Sequence, residues 1–97
     1  MIILHVHFQM KGTSLEEFQA ALKEAQIGEM SRQEEGNIEY TYYQPVGVED
    51  QLLLVEVWKD EDALKTHQQT EHFKAWGEKK KQYQVETKIT KYQAEQI

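Results

Sequence analysis

Four histidines and one glutamate inside an apolar run are the residues of this chain best suited to chemistry. His5 and His7 stand two apart in the alternating stretch from Ile2 to Met10, so both side chains leave one face of a strand. Two imidazoles on one face can chelate a metal, with His67 approaching from a helix and Glu56 completing the set. No HExxH or other fixed ligand spacing accompanies them. The histidines are therefore read as the polar lining of a pocket, with no metal expected. Glu56 lies between Val55 and Val57. A charge there is costly unless it is paired or in a wet cavity. Such a carboxyl is a general base or substrate anchor with a raised pKa, or else a group paired with Lys or Arg or solvated at a strand end. Trp58 shares its face and is either core or a cavity wall with a usable N–H. Tyr40, Tyr42, Tyr43, Trp58, Phe73 and Trp76 concentrate aromatic surface in the same part of the chain, which suits packing or a pocket for a small organic ligand. His72 opens a helical piece. There is no P-loop, no GxGxxG and no GxSxG, and neither Ser14 nor Ser31 has a triad signature nearby.

The elements that must hold these residues follow from periodicity. Ile2–Met10 alternates with period two and reads as a strand ended by Lys11-Gly12. Ser14 with Glu17 forms a capping box, and Leu15, Phe18, Leu22 and Ala25 make a helical stripe that runs to about Glu34. The stripe slips at Gly28, which implies a kink there or an inward-facing Glu29. Gly36 reads as the helix stop. Ile38–Gln44 and Gln51–Lys59 read as a hairpin of two strands. Asp60 caps a helix from Glu61, Thr70 caps a second piece bearing Phe73 and Trp76, and Tyr83–Tyr92 is the last strand. The order β-α-β-β-α-β is the ferredoxin-like plan, an α+β fold with one antiparallel four-stranded sheet and two helices on one face.

Length and composition narrow the class. The 97 residues make one domain, too small to divide, with a core that buries only ~60–65% of the unfolded surface. Eleven basic residues against 17 acidic ones give a net charge of −6, which disfavours nucleic acid and anionic membranes. The absence of cysteine excludes disulfides, thiolate metal sites and a cysteine nucleophile, and fits a cytoplasmic compartment. The N-terminal stretch does not resemble a signal peptide, and no apolar run is long enough for a membrane span. The strand Leu52–Trp58 is apolar on both faces, with Leu52, Leu54 and Trp58 on one and Leu53, Val55 and Val57 on the other. Helices cover one face only, so a homodimer packed sheet to sheet is expected.

The stretch Ser31-Arg32-Gln33-Glu34-Glu35-Gly36-Asn37-Ile38-Glu39-Tyr40, then Glu56-Val57-Trp58-Lys59-Asp60, then Ala63-Leu64, His67, Thr70, His72 and Phe73, resembles the antibiotic biosynthesis monooxygenase family. Its pattern is roughly S-x-x-E-x-G-x-x-x-Y, then E-x-W-x-(D/S)-x-x-A-L-x-x-H-x-x-(S/T)-x-H-(F/M). The resemblance implies a dimeric α+β barrel. Members include oxygenases that act on quinols or phenols without metal or flavin, haem-degrading enzymes, and an isomerase of a phosphorylated autoinducer-2 sugar. The haem branch's Asn, Trp and proximal His fall on His5, His67 and Gly77 here; none matches, and Gly77 cannot ligate haem. The same overlay implies that the histidine face of the first strand looks at the helices and that Ile2, Leu4, Val6, Phe8 and Met10 face a partner.

The expectation is a cofactor-independent monooxygenase in which His67, Glu56 and His5 do the acid–base work. Trp58, His7, Tyr40, Phe73 and His72 line the pocket for a small phenolic or quinol substrate and O₂. The alternatives are an isomerase of an enolisable phosphosugar, which needs a cation such as Arg32 near His67, or a non-catalytic ligand-binding stress-response domain.

Overall fold

Strand alternation and three helix caps account for most of the architecture in the computed structural model, which describes residues 1–97. The elements are β1 (Ile2–Met10), α1 (Leu15–Ala25), α2 (Ile27–Arg32), β2 (Asn37–Tyr43), β3 (Gln51–Trp58), α3 (Glu61–Gln68), α4 (Glu71–Lys79), a 3₁₀ turn (Lys80–Gln82) and β4 (Val85–Gln93). Ser14 accepts from the backbone N–H of Glu17, Asp60 from that of Ala63 and Thr70 from that of Phe73, as their residue types predict. The sheet order is β2-β3-β1-β4 and every pairing is antiparallel. This is the ferredoxin-like α+β fold. No helix is long and apolar enough to cross a membrane.

The first helical stretch breaks at Gln26, which adopts a left-handed conformation (φ 56°), two residues before the expected kink. The break resets the helical phase. Ile27, Gly28 and Ser31 turn inward while Glu29 is exposed, so the inward-facing Glu29 does not occur. Gly36 is not the helix stop, since α2 ends at Arg32. It lies at the entry to β2, where a Cβ would collide with the Cβ of Ala63 on α3, and its carbonyl accepts from the Lys59 N–H at 2.9 Å. Only glycine lets β2 and α3 approach this closely.

The sides of β1 are opposite to those the family overlay implied. Ile2, Leu4, Val6, Phe8 and Met10 are all at most 7% exposed, and they pack with Phe18, Leu22, Ile27, Leu64 and Trp76 beneath the helices. His5 and His7 occupy the outer face. The energetics decide this. Burying each large apolar side chain yields ~1.5–3 kcal/mol, whereas an imidazole buried without a partner costs ~1–3 kcal/mol. The two-sidedness of β3 does hold: Leu52, Leu54, Glu56 and Trp58 face inward, and Leu53, Val55 and Val57 join Ile3 on the outer face.

Candidate functional site

β3 delivers the first two groups of the site. Glu56 is paired with Leu4 of β1 on one side and Tyr40 of β2 on the other, so its carboxyl stands in the middle of the inner face, 6% exposed. Trp58, fully buried, donates its indole N–H to Oε1 of Glu56 at 3.0 Å. Burial pushes the Glu56 carboxyl up to about 7; the Trp58 hydrogen bond opposes the rise and the charge of Glu34 adds to it.

The junction of α3 and α4 supplies two imidazoles. His67 sits in the last turn of α3 and His72 in the first turn of α4. Thr70 fixes the bend between them: its hydroxyl donates to the His67 carbonyl at 2.7 Å and accepts from the Phe73 N–H at 3.2 Å. Trp58 lies against the His67 ring, with centroids 4.5 Å apart and 34° between planes, and Phe73 meets it edge-on at 5.1 Å. Tyr40 closes another side at 5.9 Å.

A carboxylate joins the imidazoles. Oε2 of Glu34, just beyond α2, lies 2.6 Å from Nδ1 of His67 and 2.8 Å from Nε2 of His72. His67 Nε2 lies 3.9 Å from Glu56 Oε1. Burial lowers the pKa of His67 despite the Glu34 hydrogen bond and charge, which raise it. A neutral His67 that donates from Nδ1 to Glu34 presents Nε2 as an acceptor toward Glu56, which complements a protonated Glu56 carboxyl. The result is an ordered series of proton-carrying groups, Glu56, His67, Glu34 and His72, from the inner face of the sheet to a partly exposed histidine. Burial holds the hydroxyls of Tyr40 and Tyr42 far above their usual pKa, so neither is a base near neutral pH.

Glu56, Trp58, Tyr40, His67, Phe73 and His72 thus come together as the sequence suggested. His5 and His7 do not: they contact each other, and His5 meets Tyr92, on the outer face, and the sheet separates them from His67. Sequence reasoning assigned no role to Glu34. Its signal was present, because Ile27, Ser31 and Glu34 follow helical spacing once the frame is reset at Gln26. Glu34, His67 and His72 also bring one potential metal-binding atom each within 4.8 Å of one another. The two short hydrogen bonds to one carboxylate oxygen already account for that convergence. Arg32 does not reach His67; its Nε–H donates to the Tyr40 carbonyl at 2.7 Å, and its guanidinium lies beside Gly28.

The profile of the antibiotic biosynthesis monooxygenase family matches residues 1–79. The candidate monooxygenase YcnE of Bacillus subtilis (strain 168) is 41% identical over 83 residues, 84% of either chain. A crystal structure from Deinococcus radiodurans, described as a candidate antibiotic biosynthesis monooxygenase, superposes with a TM-score of 0.82 at 25% identity, covering 100% of this chain and 95% of that one. A conserved protein from Methanosarcina mazei Go1 superposes with a TM-score of 0.81 at 31% identity, over 98% of this chain and 94% of that one.

Proposed function

The chain belongs to the antibiotic biosynthesis monooxygenase family, and from that premise we propose that it is a cofactor-independent monooxygenase of a small phenolic or quinol-type substrate. The observation that carries the reading is the series Glu56, His67, Glu34 and His72, in which hydrogen bonds join the two imidazoles through Glu34 and a carboxyl held up to about 7 lies 3.9 Å from His67 Nε2. Such a series accepts a proton near neutral pH and later returns it. The substrate hydroxyl loses its proton, and the electron-rich phenolate passes one electron to O₂. The two radicals combine to form a C–O bond, and the peroxide so formed is protonated. Where the keto tautomer of the phenol carries an activated methylene, as in an anthrone, loss of water from the peroxide leaves a carbonyl at that carbon. One oxygen atom ends in product and one in water, and the substrate supplies all the electrons.

Isomerisation of a phosphosugar calls for a cation beside His67, and Arg32, the candidate for that place, is engaged with the Tyr40 carbonyl instead. The working unit proposed is a homodimer in which a second copy covers the outer face of the sheet.

Uptake of ¹⁸O₂ with an anthrone or a menadiol-type quinol, corrected for autoxidation, tests the reading. Label should appear in the product from the anthrone, whereas a quinol goes to its quinone with the label in peroxide, and the rate should fall in Glu56→Gln and His67→Ala. No uptake above the protein-free rate, or equal uptake in all three proteins, removes the oxygenase.

A further inference from the structure

The inner end of the proton series is sealed and its outer end is not. Glu56, Trp58 and His67 line none of the larger surface depressions. His72 does. With Ala25 and Met30 from the first helical stretch and Ala75 and Trp76 from α4, it walls a groove of about 410 Å³, within the ~300–1,000 Å³ of small-ligand sites. Met30, 40% exposed, leaves a deformable thioether open along one wall. Nε2 of His72 is taken by Glu34 at 2.8 Å, and its Nδ1 has no protein partner. An imidazole that donates to a carboxylate from one nitrogen keeps the other as an acceptor, and the carboxylate stabilises the imidazolium that forms when a proton arrives.

We infer that the groove between α2 and α4 is the substrate subsite, that it takes a flat, apolar phenol of about naphthol size, and that Nδ1 of His72 receives the hydroxyl proton. The inference rests on the oxygenase reading and places its first step. The phenol O–H bond breaks, its electron pair stays on the phenolate oxygen, and the proton forms an N–H bond to His72, whose new charge faces Glu34. The step consumes no oxidant, so deprotonation and the later reaction with O₂ are separable. His67 and Glu56 then act behind His72, as the groups through which the proton is stored and returned. The groove's walls match the substrate class. Four apolar side chains supply contact area for a ring system, and Glu71, His72 and Lys79 are the polar members of the lining.

The test uses the full chain with 1-naphthol as binding probe and the anthrone as turnover substrate. The methyl resonance of Met30 should shift on adding 1-naphthol while those of Met1 and Met10 do not. Ala75 is exposed, so Ala75→Trp fills the groove without entering the core. It should weaken naphthol binding about tenfold or more, a loss of roughly 1.4 kcal/mol, and Met30→Trp from the opposite wall should do the same. His72→Gln should bind naphthol nearly as the wild type does but lose about a hundredfold in kcat, the scale of a general base. Circular dichroism and melting temperature certify that each variant is folded. A Met30 methyl that does not respond to saturating naphthol, or folded Ala75→Trp and His72→Gln variants that take up O₂ at the wild-type rate, overturns the inference and leaves the oxygenase standing. Naphthol binding at Met30 without O₂ uptake on any phenol upholds the subsite and overturns the oxygenase.

Discussion

The indole N–H of Trp58 donates to Oε1 of Glu56 at 3.0 Å, between two side chains on the same face of one strand. This contact opposes a rise in carboxyl pKa whose main cause is burial. Trp58→Phe keeps a ring against His67 and removes the donor. As a base, Glu56 must lose its proton, so activity should rise with pH through about 7 and the variant's acid limb should move to higher pH. Rate profiles against pH for both proteins check this. An unmoved limb would show that Glu56 does not set the rate.

Glu56 also shapes stability. Its folded pKa is raised from 4.5 to about 7, so the native state favours the protonated carboxyl. Its contribution is complete below the unfolded value and is lost as pH rises through the folded one. Glu56→Gln cannot ionise. Its stability relative to wild type should therefore grow between pH 4.5 and 8 by on the order of 3 kcal/mol. Urea denaturation at a series of pH values reads the difference, and a constant difference would contradict buried titration.

Gly36 marks the closest approach of β2 and α3. Gly36→Ala should cost ~1–3 kcal/mol, because the new methyl meets the Cβ of Ala63. Adding Ala63→Gly should return part of the loss, less the ~1 kcal/mol cost of glycine in a helix. A stable single variant, or a strictly additive pair, would mean that the contact is not tight.

The proposed dimer predicts a solution mass of twice 11.5 kDa by light scattering at micromolar concentration. Leu53→Glu and Val55→Lys place charges on the outer face without entering the helix-covered core, and each should give a folded single copy. A wild-type chain already at the single-copy mass removes the dimer.

The sequence yielded the topology because its signals were local. Alternation in β1, the side-chain caps Ser14, Asp60 and Thr70, and the two-sided β3 each follow from neighbouring residue types. It also singled out Glu56, Trp58, His67 and His72, which the fold brings together, since a carboxylate in an apolar strand and histidines on helices stand out. Glu34 was hidden by geometry. One left-handed residue at Gln26 shifts the helical frame, and no periodicity count across the break finds the side chain that then points inward. The facing of β1 is opposite to the one a family overlay implies, because burying five apolar side chains outweighs burying two imidazoles.

β3 carries Glu56 on one side and its flanking neighbours Val55 and Val57 on the other. Successive residues are joined by planar, nearly rigid peptides. Strain applied at the outer valines therefore reaches the carboxyl without an intervening hinge. In a dimer seated on that face, the two reaction centres would be mechanically coupled through the thickness of two strands, one from each copy. The proton affinity of each would then be set partly by how its neighbour sits.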